Sequence, residues 1–265
     1  MKALKTYLPD GFLGSPRIAG RVHSVFKRAV NAVVGGRMIT LHADLRAGIP
    51  DSAVLRNGDF DVLEVIDADA PAWLEGFALK IADFLIDLNA PNFSNDMGRC
   101  KMAADKAAIL AKFESLGFDY AMPEVVESRL RCVIDGLKDG GVEAARKPLE
   151  AAVGFGCGLT PSADDALLGI CAVVDFCNRA AFPKFDGFAQ ALFSAAQGRT
   201  TDVSAKYIRC AAEGRFPENL ARLVKSLLGS DAAADVEAFE RLLAVGHTSG
   251  KDIVRGVRLG LGLIV

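Results

Sequence analysis

The order of hydrophobic and polar residues changes its character once along the chain, near residue 95. Before that point, short apolar runs partly alternate with polar residues, which favours β-strands. Strands are predicted at 21–26, 37–42 and 60–66, and the Asn57-Gly58 dipeptide before the third run predicts a hairpin turn. The stretch 73–88 fits either a helix or strands, and its second half favours a strand.

Beyond residue 95 the chain is rich in Ala and Leu, and its apolar residues recur at helical spacing. The segment 89–95 has the Asn- and Pro-containing composition of a linker. Helices are predicted at 99–116, 123–137, 141–153, 162–178, 185–197, 201–213, 218–228, 232–245 and 249–261. We therefore expect an α+β protein, in which a small N-terminal domain resembling a β-barrel or sandwich (1–95) precedes a mostly α-helical domain (96–265).

The central stretch, residues 154–169, leads from a glycine-rich loop into a strongly apolar helix. Three glycines stand at alternate positions, among them Gly156 and Gly158, and without Cβ atoms they allow the backbone to approach a ligand closely. Thr160 or Ser162 is the expected N-cap residue of the helix. The apolar residues that follow predict a buried helix, and its polar first turn would lie next to the glycine-rich loop.

The first turn of this helix combines features that favour an anion with features that oppose one. Ser162-x-x-Asp165 predicts a capping box, and Pro161 suits a first helical turn. Free N–H groups and the positive end of the helix dipole favour an anion. Asp164 and Asp165 would repel it unless a metal or a basic group lies between them. The alternative is a well-capped core helix behind a tight loop.

The pattern S-x-x-D-x-x-x-G begins at Ser162 and occurs again at Ser249. Its glycines, Gly169 and Gly256, would let two helices approach closely, so we expect these helices to pack side by side with both N-termini in one pocket. The first helix would contribute Thr160, Ser162, Asp164 and Asp165. The second would contribute His247, Thr248, Ser249, Lys251 and Asp252. The alternative is a chance repetition of a common capping pattern.

A third polar helix start lies at residues 199–204. Thr201-x-x-Ser204 predicts a cap, and Thr200 adds a hydroxyl. Arg199 offers a planar guanidinium for a carboxylate or phosphate. The alternative is an ordinary cap beside a solvated arginine.

Composition narrows the range of partners. Thirty-one basic and 33 acidic residues give a net charge of -2, which does not favour nucleic acid or an anionic membrane. The mean hydropathy of +0.25 is high, but no apolar run has the length of a membrane span, so the excess indicates a large core and subunit interfaces. The cysteines indicate reduced, mostly buried thiols in a cytoplasmic protein. They are Cys100, Cys132, Cys157, Cys171, Cys177 and Cys210.

Several enzyme classes lack their motifs. His23, His42 and His247 are scattered without zinc-site spacing, and only His247 borders the expected pocket, where it could act as an acid or base. His23 and His42 are interpreted as structural. The glycine loop has neither the Walker lysine nor the dinucleotide fingerprint, and the chain contains no G-x-S-x-G nucleophile elbow.

Residues 156–165, GCGLTPSADD, resemble the G-x-G-L-T-P-S-G-D-D signature of the AllH-like proteins, with Ala163 where the pattern has Gly. Residues 199–204, RTTDVS, and 246–252, GHTSGKD, resemble two later blocks of that family, and 20–26, GRVHSVF, resembles its N-terminal block. The resemblance implies one of several dissimilar subunits of an oxamate carbamoyltransferase in purine and allantoin breakdown. That activity interconverts oxalurate and phosphate with oxamate and carbamoyl phosphate.

A carbamoyltransferase must hold an acyl phosphate and a small carboxylate, and helix N-termini and hydroxyls are suitable donors. The candidate catalytic residues are Asp164, Asp165, His247 and Asp252. The candidate substrate-binding residues are Gly156, Gly158, Thr160, Ser162, Arg199, Thr200, Thr201, Ser204, Thr248, Ser249 and Gly250. A divalent cation such as Mg²⁺ is possible, with Asp164, Asp165 and Asp252 as ligands.

Three functions therefore stay open. The first is a carbamoyltransferase subunit that binds a small anionic substrate and a phosphate-containing ligand, together with dissimilar subunits or as a homo-oligomer. The second is a small-molecule kinase or another phosphate-binding enzyme. The third is a non-catalytic structural subunit.

Overall fold

The computed structural model describes residues 1–44, 47–93, 95–98, 101–103, 105–180, 185–230 and 233–264. By its internal contacts the chain divides into two compact units, Met1–Asn95 and Asp96–Val265. The first is built on a β-sheet and the second is mostly helical, which confirms the predicted fold class. Parts of the sequence-based predictions lie outside the described residues: Ser94 of the linker, Arg99, Cys100 and Ala104 of the helix predicted at 99–116, and Ala232, the start of the helix predicted at 232–245.

Within the described residues, the first unit contains one eight-stranded sheet. The strands are β1 (Lys5–Thr6), β2 (Ser15–Phe26), β3 (Ala29–Val34), β4 (Arg37–His42), β5 (Ser52–Val54), β6 (Pro71–Gly76), β7 (Ala78–Ile81) and β8 (Phe84–Asp87). Their order is β1-β5-β4-β3-β2-β6-β7-β8, and the pairs are antiparallel except for the parallel pair β4–β5.

The sheet curls until its two ends meet. Lys2, just before β1, forms an isolated parallel bridge with Asp87 of β8, and the amide of Ala3 donates to the carbonyl of Asp87 at 2.8 Å. This closure protects both edge strands from pairing with another chain. The enclosed side is apolar and includes Val22, Ile39 and Leu74.

One predicted strand is wrong. Residues Asn57–Asp61 form the short helix α1, and Val62–Val65 form a 3₁₀ turn, where a hairpin turn and a strand were expected. Phe60, Leu63 and Ile66 are buried, and their spacing of three residues suits a 3₁₀ or α conformation better than the period of two in a strand. The ambiguous stretch 73–88 forms strands joined by tight turns, in β6, β7 and β8, so the strand favoured for its second half is confirmed.

The second unit contains the remaining helices of the described chain. They are α2 (Lys106–Glu114), α3 (Glu124–Ala152), α4 (Ser162–Arg179), α5 (Phe188–Ala196), α6 (Asp202–Ala212), α7 (Glu218–Leu228), α8 (Val236–Leu243) and α9 (Ser249–Leu261). Helix α3 joins two predicted helices, and its backbone leaves helical geometry at Gly140 and Gly141, as the separate predictions require.

Helix α4 is buried along nearly its whole length and packs against α3, α5, α6, α7 and α9. Its apolar character all round therefore has a direct cause, since neighbouring helices surround it. The thiols of Cys171 and Cys177 on α4 are buried, as is that of Cys210. Cys132 is exposed, against expectation, because it lies on the outward side of α3.

Candidate functional site

Helix α4 begins without the expected cap. Its N-cap residue is Pro161, which has no side-chain hydrogen-bond group, and Ser162 is the first helical residue. The predicted N-cap roles of Thr160 and Ser162 and the predicted capping box are therefore wrong. The carboxyl that would close such a box, that of Asp165, interacts instead with the hydroxyls of Ser249 and Thr160, and the neighbouring Asp164 lies on the side of α6.

Asp164 ties the glycine loop to the start of α6. Its side chain is only 2% exposed, and one carboxylate oxygen accepts the amide N–H of Gly154 at 2.7 Å. The other oxygen accepts hydroxyl hydrogen bonds from Thr200 and Ser204, the latter at 2.6 Å. Both oxygens therefore have partners, and three separate segments meet at one carboxylate.

Thr201 adds a second tie between α6 and the loop. It is the N-cap residue of α6 and accepts the amide N–H of Ser204 at 3.1 Å, so the predicted cap is confirmed. The same hydroxyl donates to the carbonyl of Leu159 in the glycine loop. The loop is thus held against α6 from both ends.

Helices α4 and α9 pack backbone to backbone. A Cβ atom on Gly256 would lie 1.9 Å from the carbonyl oxygen of Ala166, and one on Gly169 would lie 2.2 Å from that of Ile253. Both glycines are therefore required by close approach. The expected side-by-side packing of the two helices with the repeated pattern is confirmed.

The starts of these two helices lie together as well. The hydroxyls of Thr160 and Ser249 share a hydrogen bond of 2.9 Å. The carboxyl of Asp165 interacts with both hydroxyls. The polar residues before and within the first turns of α4 and α9 therefore form one continuous cluster.

Asp165 is buried, with 6% of its surface exposed. Burial raises the pKa of its carboxyl to about 8; the hydroxyls of Ser249 and Thr160 oppose this shift, and the charges of Asp252 and Asp164 add to it. The carboxyl is therefore mostly neutral at pH 7. Its Oδ2 atom is buried and has no hydrogen-bond partner in the described part of the protein.

Asp252, in the first turn of α9, is 0% exposed. Burial raises the pKa of its carboxyl, against the hydrogen bond from Tyr120 and interactions with the hydroxyls of Ser162 and Thr248. The phenol of Tyr120 donates to Oδ1 at 2.8 Å. As in Asp165, the Oδ2 atom is buried without a partner among the described residues.

The glycine loop presents unused amide groups. Gly156 and Gly158 have φ angles of 127° and 95°, and residues 156–159 are exposed. A Cβ atom on Gly156 would lie 2.6 Å from the amide nitrogen of Ser162, so a side chain has no room there. Within the described residues, no amide N–H from Gly156 to Thr160 donates to a protein acceptor. Successive free N–H groups of this kind suit an anion.

The remaining candidate residues lie at different distances from this cluster. Thr248 is the N-cap residue of α9, and Gly250 packs against the backbone of α8, where a Cβ atom would lie 1.8 Å from the carbonyl oxygen of Leu242. His247 is exposed beside the start of α9. The guanidinium of Arg199 lies against the carbonyl of Ala195 and near Glu150, not against the cluster.

Two family models match the chain. The model of the AllH family N-terminal domain matches residues 4–93, and the model of oxamate carbamoyltransferase subunit AllH matches residues 152–261. The chain belongs to the AllH family. No solved structure gives a significant match.

The AllH matches follow the architecture. The N-terminal model lies within the β-sheet unit, and the subunit model begins just before the glycine loop and ends with α9. It therefore includes the starts of α4, α6 and α9. The predicted resemblance to this family is confirmed.

Two tyrosines of this AllH chain belong to the cluster and were not predicted. The phenol of Tyr120 donates a hydrogen bond to the carboxyl of Asp252. Burial, together with that contact, raises the pKa of Tyr120 well above the usual range. Tyr207 on α6 is near enough to Asp165 for that carboxyl to raise the tyrosine's pKa, after the larger effect of burial. The sequence around Tyr120 contains no motif that indicates this contact.

The described residues of the AllH chain contain no group of three or more His, Cys, Asp or Glu side chains arranged to hold a metal ion. Asp164, Asp165 and Asp252 thus do not converge on a point. None of the helices in the described residues has the length and apolarity of a membrane span.

Proposed function

We propose that this chain provides the substrate-binding site of an oxamate carbamoyltransferase, at the joined starts of α4 and α9 and the glycine loop before α4. Its ligands are small anions: oxamate and carbamoyl phosphate in one direction, oxalurate and phosphate in the other. The chain acts as a transferase subunit in purine and allantoin nitrogen breakdown, in contact with dissimilar subunits. The family description, which names a subunit, supports such partners.

A single observation carries this proposal, the convergence of donors at the Thr160–Ser249 hydrogen bond. The starts of α4 and α9 meet there, and each helix N-terminus carries partial positive charge. The unused amides of residues 156–160 lie directly before α4. These are the donor types that bind phosphate and carboxylate groups.

The acids in the cluster do not prevent anion binding. The pKa of Asp165 is raised to about 8, so its carboxyl is mostly neutral at pH 7, and burial also raises the pKa of Asp252. Asp164 accepts three hydrogen bonds, which disperse its charge. A cation between the acids and the anion is therefore not needed for binding, although Mg²⁺ carried by the phosphate ligand is compatible with it.

The proposed reaction needs positioning more than covalent catalysis. The amide nitrogen of oxamate attacks the carbonyl carbon of carbamoyl phosphate, the bond from that carbon to the phosphate oxygen breaks, and the nitrogen loses a proton as phosphate leaves. Donors at the loop stabilise the charge on the departing phosphate. Asp165 and Asp252 orient the reactants, Asp164 holds the loop, and exposed His247 is placed to exchange protons with solvent.

The test is calorimetric titration of the purified chain with carbamoyl phosphate and with inorganic phosphate, each with and without Mg²⁺. We expect binding by the wild-type chain and a loss of about tenfold or more in affinity for Thr160→Val, which removes a hydroxyl from the cluster. Ser128→Ala is the matched control, because the Ser128 hydroxyl donates only to the carbonyl of Val125 in its own helix.

Equal binding by wild type and Thr160→Val would place the anion elsewhere on the chain. No binding of either ligand would contradict a substrate site in this subunit. An effect of Mg²⁺ on carbamoyl phosphate alone would indicate that the cation enters with the ligand.

A further inference from the structure

Two buried carboxyl oxygens in the cluster lack hydrogen-bond donors. They are Oδ2 of Asp165 and Oδ2 of Asp252. Both residues are more than nine-tenths buried, and a buried acceptor without a partner is costly in free energy. Asp164 on the same helix turn shows that the fold is able to satisfy a buried carboxylate completely.

The two carboxyl groups that carry these acceptors interact with the donors already described. Asp165 interacts with the hydroxyls of Thr160 and Ser249, and Asp252 interacts with those of Ser162 and Thr248. The exposed loop amides lie before the same helix start. The site thus combines donors that suit an anion with acceptors that an anion cannot use. A ligand that satisfies both sets must carry an anionic group and N–H bonds together.

We propose that Oδ2 of Asp165 and Oδ2 of Asp252 accept the two N–H bonds of a primary amide, so that the site selects carbamoyl and oxamate –NH₂ groups over isosteric methyl groups. One –NH₂ group has two donors, which matches the two acceptors. The inference rests on the proposed function, because it names the part of the substrate that these carboxyls recognise.

The protonation of Asp165 is compatible with this role. A neutral carboxyl keeps a carbonyl-type oxygen as an acceptor. Its own O–H then remains available to a neighbouring acceptor, and the mostly neutral carboxyl adds little negative charge next to a bound anion. Ordinary oxyanion sites have donors only, and the acceptors here would weaken the binding of an anion that has no N–H group.

The test compares ligands that differ only by –NH₂ and –CH₃. Oxamate is paired with pyruvate, and phosphonoacetamide is paired with 2-oxopropylphosphonate, by ligand-observed NMR titration of the full wild-type chain at pH 7. We expect each amide to bind about 10- to 100-fold more tightly than its methyl partner, since the methyl group leaves buried acceptors unsatisfied.

Two variants assign the effect to the carboxyls. In Asp252→Asn and Asp165→Asn, an amide –NH₂ replaces one acceptor, and the preference for amide ligands is expected to fall at least about threefold. Asp175→Asn is the matched control, because it is the same change on α4 at an acid that is bound to Arg179. Thermal unfolding checks that each variant is folded, and the wild-type comparison needs no variant.

Equal affinity within both ligand pairs would overturn the inference and leave the proposed function standing, as long as Thr160→Val weakens all ligands alike. A preference for amides that persists unchanged in both folded Asn variants would also overturn it. If no ligand of either pair binds, the proposed function fails and the inference fails with it.

Discussion

The first turn of α4 lies between the starts of α6 and α9. Its side towards α6 and its side towards α9 differ in how completely the buried carboxyls are hydrogen-bonded. Towards α6, Asp164 accepts three hydrogen bonds and both oxygens have partners. Towards α9, Asp165 and Asp252 each keep one buried oxygen without a partner in the described residues. Asp164 and Asp165 are thus adjacent in one helical turn, yet within the described chain only Asp164 has partners for both of its carboxyl oxygens.

The difference separates two uses of a buried carboxyl. The satisfied side makes a rigid junction, because moving the loop would break several bonds to an ionised group at once. On the side towards α9, close backbone packing at Gly169 and Gly256 fixes the positions of the two helix starts. The side-chain carboxyls there are not needed for this contact, so one oxygen of each stays without a partner among the described residues. Such atoms are expected where a ligand completes the network.

The largest loss of stability is expected when the hydrogen bonds of Asp164, on the side towards α6, are removed. Asp164→Asn places an amide –NH₂ against donors, and we expect it to lower the free energy of unfolding by about 3 kcal/mol. The same change in the next residue, Asp165→Asn, replaces a mostly neutral carboxyl and should cost about 1 kcal/mol or less at pH 7. Urea unfolding at pH 7 measures both. Equal losses would erase the distinction between the two sides.

The second-largest loss of stability is expected at the backbone contact between α4 and α9. Gly256→Ala puts a methyl group where only 1.9 Å separates it from the carbonyl oxygen of Ala166, and we expect a loss of about 2 to 3 kcal/mol. Gly260→Ala on the same helix meets Cβ of Val173 at 3.0 Å and should cost less, because this contact is about 1 Å longer than the one at Gly256. Chemical unfolding ranks the two variants, and the reverse order would contradict this packing.

The pH dependence of stability tests the side of α4 towards α9 through the carboxyl of Asp165. The pKa of Asp165 is raised to about 8 in the folded chain, so the folded state binds this proton more tightly than the unfolded state. Its stabilising effect is complete below the unfolded pKa of about 4 and is lost as pH rises through 8. We therefore expect the stability of wild type to fall clearly more than that of Asp165→Asn between pH 5 and 9.

Urea unfolding at pH 5, 7 and 9 follows this difference between the wild type and Asp165→Asn. Parallel curves for the two proteins would show that the carboxyl titrates alike in the folded and unfolded states. Asp164→Asn is a poor comparison here because it loses structural hydrogen bonds at every pH.

The smallest effect concerns the hydroxyl pair. Thr160→Val should cost about 1 kcal/mol, the typical net contribution of one hydrogen bond. A double-mutant cycle with Ser249→Ala should give a coupling energy of about 0.5 to 1 kcal/mol. Ser128→Ala, at an exposed hydroxyl in α3, is expected to be neutral and to show no coupling with Thr160→Val.

Parts of the site could be predicted because they depend on short patterns. The repeated S-x-x-D-x-x-x-G pattern placed Gly169 and Gly256 at equivalent positions, and close helix contact is a direct consequence of a missing Cβ atom. The cap at Thr201 depends on a side chain and an amide three residues apart. The bounds of α7 and α9 agree with the periodicity for the same reason.

Other parts could not be predicted from such patterns. Asn57-Gly58 is a common hairpin dipeptide, yet the burial of Phe60 and Leu63 against the sheet favoured a short helix there. The cap of α4 was assigned wrongly because Asp165 interacts with the hydroxyl of Ser249, far along the chain, instead of closing a local capping box. Tyr120 has no motif around it that indicates a role.

Four features could be derived from the order of the amino acids alone: the α+β order, the apolar character of α4, the small residues between α4 and α9, and the polar residues at the helix starts. These properties follow from periodicity and from interactions over a few residues. Which carboxyl has partners for both oxygens, and which keeps an oxygen without one among the described residues, depends on the folded chain. That outcome depends on contacts such as Tyr120 with Asp252, 132 residues apart, and no local pattern specifies the partners of such a contact.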